Sequence, residues 1–219
     1  MKERPILFNG AMVRAILDGR KTQTRRPVKG QSPGTRPALS GGEFGWYTGS
    51  DYVGPLKCFF APGDRLWVRE TFGVLVVGGE YAFKADGTQT TKEWHRHYYQ
   101  RCCFHGERMC EDCFAPYMWE APRVERWIPA IHMPRQASRL TLEVTDVRVQ
   151  RVEDITEADA VAEGFSAGED GRFANPTAAG RANATEHVHN ARQAFILSWR
   201  AIYGHGNPWL WAITFRRVS

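Results

Sequence analysis

The sequence predicts an α+β fold, built mainly of short strands with a few short helices packed on them. Two observations predict the strands. Leu140 to Val149 is rich in β-formers: Leu140, Leu142 and Val144 lie on one face, Val147 and Val149 on the other. Trp209 to Phe215 repeats the pattern, Trp211, Ile213 and Phe215 alternating with Leu210, Ala212 and Thr214. A third observation predicts the helices, where apolar residues recur at helical spacing, twice behind a capping residue. No internal repeat and no separate second core are legible, so residues 1–219 read as one domain.

Taken in order, Pro5 to Phe8 reads as a short buried strand. Asn9 caps a helix whose apolar face is Met12, Val13, Ile16 and Leu17, and Gly19 suits the left-handed residue that ends it. Residues 29–58 are rich in Gly, Pro and Ser, with Trp46, Tyr47 and Tyr52 among them, and read as a long irregular loop. Ala61 to Asp64 is a turn. Leu66 and Val68 then alternate with Arg65, Trp67 and Arg69, and Glu70 continues the Leu66–Val68 face. A carboxylate on that face needs a partner: an arginine in the bland reading, a substrate in the functional one. Val74 to Val77 and Tyr81 to Lys84 flank Gly78-Gly79 as a hairpin. The change of face after Val144 predicts a bulge or twist. Thr156-Glu157-Ala158-Asp159 opens a short helix that runs to Glu163 and ends at Gly164. By spacing alone, Glu163 is an exposed helix glutamate. Residues 166–190, rich in Gly, Ala and Asn, read as a mobile loop, and Phe195, Trp199 and Ile202 share one face of a closing helix.

The formal charge of +5 favours an anionic partner, although such an excess also serves solubility alone. No apolar run approaches the ~20 residues that span a bilayer. Met1 to Pro5 lacks the apolar core of a signal peptide, so a cytoplasmic location and no membrane partner are expected.

One stretch has a composition that a core does not need. Gly19-Arg20-Lys21-Thr22-Gln23-Thr24-Arg25-Arg26-Pro27 sets one lysine, three arginines and two threonines between a helix-ending glycine and a proline. It suits an anionic ligand or a lysine-assisted hydroxyl. In a regular strand Lys21, Gln23 and Arg25 share one face and Thr24 and Arg26 the other. Lys21 and Thr24 therefore meet only if a bend breaks the alternation.

The cysteines give a second signal. Four of the five lie in Cys102-Cys103-Phe104-His105 and Cys110-Glu111-Asp112-Cys113. A Cys-x-x-Cys pair can place both sulfurs on one ion, and tetrahedral zinc needs four N/S ligands. Cys110 and Cys113 are then joined by two of Cys102, Cys103 and His105; Cys103 with His105 and Cys102 with His105 are both open. Such a site would be structural, stapling an insertion too small for its own core. A redox pair or ordinary thiols are the alternatives.

Ile16 to Arg25 resembles the opening signature of the ASCH domain family. Pro62 to Glu70, Leu140 to Phe165 and Ala194 to Phe215 fit the same family, and Trp127 to Arg135 resembles ASCH proteins encoded by bacteriophages. The resemblance implies a PUA-like small β-barrel with flanking short helices and an association with RNA. The rest reads as insertions at about 29–60, 74–135 (cysteine-rich, with the zinc site) and 166–190. One branch of the family removes the acetyl group from N4-acetylcytidine. Matching positions imply Lys21, Thr24 and Glu163 as its catalytic set, Lys21 and Thr24 within an unbroken motif and Glu163 through the helix that Thr156 opens. Arg20, Arg25 and Arg26 are candidates to depress the Lys21 pKa, steady an oxyanion or hold phosphate. Trp67 is a candidate to stack a base, Glu70 to contact substrate, and His132 and Arg135 to line the cleft.

The expected activity is thus amide hydrolysis on a modified nucleoside or RNA, with structural zinc as the cofactor. The alternative is an RNA- or nucleotide-binding module, a ribonuclease included, in which the same cations hold phosphate. A protein-binding accessory factor is a third reading.

Overall fold

The structure is a computed structural model and describes residues 1–41, 43–75, 80–87, 89–90, 123–168, 171, 173 and 188–218. In chain order its strands and helices are β1 (Glu3–Leu7), α1 (Gly10–Leu17), β2 (Gln23–Pro27), β3 (Arg36–Ser40), β4 (Glu43–Thr48), β5 (Asp51–Pro55), β6 (Arg65–Arg69), β7 (Phe72–Val74), β8 (Tyr81–Phe83), β9 (Gln89–Thr90), β10 (Arg123–Val124), β11 (Thr141–Arg151), α2 (Glu157–Ala162), α3 (Ala191–Tyr203) and β12 (Trp209–Arg217). The fold is α+β, mostly sheet. Among the described residues no helix is long and apolar enough to cross a membrane.

The described residues form two compact units. The first comprises Met1–Arg4, Ala15–Trp67 and Leu140–Ser219; the second comprises Pro5–Arg14 and Val68–Arg139. Strands β1 and β6 and helix α1 each run from one unit into the other.

The main sheet has the order β1-β6-β11-β12-β2. Its order is linear, and the described strands do not close into a barrel. Its backbone is the long antiparallel pair β11–β12, whose register shifts between Val144 and Asp146, where the sequence changes face. Ala212, Ile213, Leu142 and Val144 are buried in it. Both faces of β12 are covered, as its near-continuous apolar run requires. Strand β2 pairs antiparallel with β12, setting Thr24 opposite Ile213, Arg25 opposite Ala212 and Arg26 opposite Trp211. A core of Val152, Ile155, Ala160, Phe165, Ala191, Phe195 and Trp199 holds α2 and α3 together.

Capping follows the sequence closely. Asn9 Oδ1 accepts from the Met12 amide at 2.9 Å, Thr156 Oγ1 accepts from the Asp159 amide at 3.1 Å, and Asn190 Oδ1 accepts from the Gln193 amide at 2.7 Å. Glu157 reaches across to α3, where its carboxylate accepts from the amides of Ala191 and Arg192 at 2.6 and 2.9 Å. A carboxylate at a helix N-terminus also meets the positive end of its dipole.

Two expectations are corrected. Residues 29–58 are not one irregular loop, because β3, β4 and β5 form a three-stranded antiparallel sheet. Its turns carry Gly41 and Gly49 in the left-handed region, at φ +58° and +60°. Its strands are largely exposed, so no apolar alternation betrayed them. Ile202 does not share the buried face of Phe195 and Trp199; it is 56% exposed near the end of α3. Tyr203 instead stacks on Trp199, ring centroids 4.3 Å apart.

The hairpin of the second unit pairs β7 with β8 and begins at Phe72, two residues before the expected start. Phe72, Met133 and Ala137 form a small core there. Cys102, Cys103, His105, Cys110 and Cys113 lie outside the described residues, as does most of 166–190.

Candidate active site

Lys21 is set in place by three backbone anchors. After Gly19 turns the chain at φ +74°, the Arg20 and Lys21 amides both bond the Ala15 carbonyl, at 2.8 and 2.9 Å. The Thr22 amide then bonds the Ala162 carbonyl at 2.8 Å, and the Phe215 amide bonds the Thr22 carbonyl at 2.9 Å. The turn is thereby tied to the end of α1, the end of α2 and the C-terminal half of β12. Gly164 permits the approach. Its φ is +99°, and a Cβ there would stand 3.2 Å from Ala15 Cβ and 3.3 Å from Lys21 Cβ.

The Lys21 side chain is fully buried and meets Glu163, 142 residues further along. Nζ donates to Glu163 Oε2 at 2.7 Å, to the Glu163 carbonyl at 2.8 Å and to the Gln23 carbonyl at 2.6 Å. An ammonium has three protons to give, and three acceptors surround it. Burial pulls the Lys21 pKa below its usual 10.5; Glu163 opposes that pull, and Arg26 and Arg25 add to it.

Glu163 is buried, not exposed as its spacing alone suggested. Its second oxygen, Oε1, accepts from Arg25 Nη1 at 3.0 Å. The buried Arg25 guanidinium also lies 3.3 Å from Asp159 Oδ2 and 5.5 Å over the Phe195 ring. With its amide oxygen turned to Arg25, Gln150 accepts from Nη2 at 2.8 Å and Nε at 3.1 Å. Asp159 Oδ1 takes a 2.6 Å bond from Arg148. Burial raises the Asp159 pKa, but the bond and charge of Arg148, with Arg25, outweigh it and hold the carboxyl below its usual 3.8.

Thr24 is buried on the same strand. Arg26 Nη1 donates to its Oγ1 at 3.3 Å. Arg26 is also charge-coupled to Lys21 and Glu163, and burial lowers its own pKa. The guanidinium thus links the threonine electrostatically to the lysine–glutamate pair. Lys21 precedes β2, so the alternation of the strand does not bind it, and its amine folds back onto the carbonyl of Gln23, the first strand residue.

The structure therefore gathers Lys21, Thr24, Arg25, Arg26 and Glu163 in the first unit. Arg20 points away, exposed and paired with Asp18 at 2.7 Å. Trp67 is half-buried on β6, in register with Thr141. Glu70, His132 and Arg135 belong to the second unit. Glu70 is buried and paired with Arg139, which donates from Nε at 2.9 Å and Nη2 at 3.2 Å and also holds Asp86. Desolvation raises the Glu70 pKa despite that partner. His132 and Arg135 are exposed on short 3-10 turns.

Sequence reasoning missed Asp159, Arg148 and Gln150. Asp159 was legible only as the second half of a capping box. Its carboxylate instead turns to Arg148 and Arg25. Among the described residues no cluster of His, Cys, Asp and Glu could hold a metal ion. Arg26 also lines a cleft of about 500 Å³, walled by the β3–β5 sheet and the segment after it. No family model, curated protein or solved structure matches the chain.

Proposed function

We propose that the chain is an amidohydrolase acting on an acylated nucleobase amine of the N4-acetylcytidine type, with Lys21, Thr24 and Glu163 as its catalytic set. The observation that carries the reading is the enclosed 2.7 Å contact between Lys21 Nζ and Glu163 Oε2. Burial disfavours two separated charges. One proton shift along this contact turns the ion pair into a neutral amine and a neutral carboxylic acid. That single step prepares the two groups amide hydrolysis needs, a base and an acid.

Neutral Lys21 then takes the proton of the Thr24 hydroxyl, or of a water that it holds, as the oxygen attacks the acyl carbon. Because Arg26 donates to Oγ1, the hydroxyl keeps its own proton to give. The same cation favours negative charge developing nearby. Glu163 delivers its proton to the leaving amine as the C–N bond breaks, which restores the ammonium–carboxylate pair. With threonine as nucleophile, a second proton shift readies the pair for water to release the acyl group.

Purified protein with N4-acetylcytidine tests the reading. Release of cytidine and acetate is expected, and Lys21→Met should abolish it. An inert wild type, or turnover unchanged in Lys21→Met, would reject the activity. The expected structural zinc stays a proposal for the cysteine cluster, and no step depends on it.

A further inference from the structure

The cleft beside Arg26 belongs to no step above. Its floor is Trp211, itself buried and held edge-on by Phe44 at 4.8 Å between centroids. Trp46, on β4, and Phe59 and Phe60, after β5, supply further aromatic surface. Phe59 is 63% exposed, which no core contact explains. Three cations, Arg26, Lys29 and Lys57, line the same space, and no carboxylate does. Both lysines are exposed, so their ammonium groups reach solvent and any ligand at the mouth. The volume of about 500 Å³ lies within the ~300–1,000 Å³ of small-molecule sites.

Flat aromatic surface beside a lining that is cationic and free of carboxylates fits a planar base that carries an anionic group. We propose that this cleft is a nucleotide subsite: aromatic side chains take the base, and Lys29 and Lys57 take the phosphate. The inference rests on the amidohydrolase reading for the choice of a cytosine base. Arg26 joins the two places, since it lines the cleft and its guanidinium bonds the Thr24 hydroxyl. The preferred substrate is then a phosphorylated acetylcytidine, with the bare nucleoside turned over less efficiently. Most of the walls come from the segment 46–60, so the preference is a property of that segment.

Binding and turnover separate the two ideas. Titration of the full chain with cytidine and with cytidine monophosphate, followed by calorimetry, should show the nucleotide bound about tenfold more tightly or better. The double variant Lys29→Glu/Lys57→Glu should erase that difference while leaving its unfolding midpoint unchanged, because both side chains are exposed. Lys21→Met should keep the difference even with turnover lost. A short oligocytidylate is the second arm: affinity equal to the monophosphate identifies a free nucleotide, and tighter binding identifies an RNA strand. Equal affinity for cytidine and its monophosphate, or a preference untouched by the lysine reversals, overturns the subsite. Failure to hydrolyse N4-acetylcytidine with the phosphate preference intact would instead overturn the activity alone.

Discussion

At the scale of single residues, Lys21 is where structure and chemistry compete. Removing one partner of a buried ion pair costs about 3–5 kcal/mol, because the other charge is stranded. Lys21→Met leaves Glu163 paired with Arg25, so stability should fall by an amount near the low end of that range, and loss of turnover in it would be ambiguous. Lys21→Met/Glu163→Gln avoids the difficulty. The glutamine keeps an acceptor for Arg25, no stranded carboxylate remains, and stability should recover to within about 1–2 kcal/mol of wild type. Denaturant unfolding measures the recovery, and turnover should stay absent. If the double variant hydrolyses the substrate at the wild-type rate, the pair is structural only.

The pH dependence has a definite sign. The proton shift within the Lys21–Glu163 pair leaves its proton count unchanged, so the active form persists only while the pair holds that proton. Because burial, with Arg26 and Arg25, sets the Lys21 pKa below 10.5, kcat/KM should fall as pH rises through that lowered value, where Glu163 is left with no proton for the leaving amine. A rate that is still climbing at pH 10.5 contradicts the shared proton.

At the scale of elements, the site depends on a helix end meeting a turn. Gly164 sits where α2 closes on Lys21, and its left-handed φ and its closeness to Lys21 Cβ both demand glycine. Gly164→Ala combines backbone strain with a steric push and should cost about 2–3 kcal/mol. Gly19 has a similar φ of +74°, but a Cβ there would meet nothing within 4 Å, so Gly19→Ala should cost only about 1 kcal/mol. Thermal unfolding of the two variants checks the ranking. Equal losses would mean that the packing on Lys21 is loose.

Much of this level was legible in the residues. Asn9, Thr156 and Gly164 marked helix ends, and the change of face after Val144 marked the bulge. The three-stranded sheet was not legible, because exposed strands rich in Gly and Pro lack the alternation that burial imposes. Asp159 was misjudged for a related reason. Its position in the helix suggested a local cap, while its partners Arg25 and Arg148 arrive from β2 and β11.

At the scale of the whole molecule, charge and chain order decide the outcome. The first unit is assembled from three separate stretches and the second from two. No single cut of the chain releases either one intact. That interleaving also conceals the division from a linear reading. The Asp159–Arg148–Arg25 network supplies an acid-sensitive tie within the first unit. Asp159 has a folded pKa below its unfolded value near 3.8. Its contribution to stability is therefore full above about that pH and is lost as pH falls through the folded pKa. Asp159→Asn should flatten the acid limb of an unfolding titration while lowering stability at neutral pH. An acid limb identical to wild type would assign the sensitivity elsewhere.

The amino-acid order by itself determined that the fold is α+β, where its two long strands and the caps of two helices lie, and that residues 20–26 carry a density of charge that a core does not need. Those are consequences of neighbours along the chain, through periodicity, capping and steric limits on the backbone. Only the tertiary structure decided that Glu163 leaves the solvent-facing role its spacing gave it and closes on Lys21. It also decided that Arg25 and Asp159 join them, and that Glu70 pairs with Arg139. Burial is the physical reason: a charge withdrawn from water must find its counter-charge wherever the fold brings one, and no local pattern records that distance.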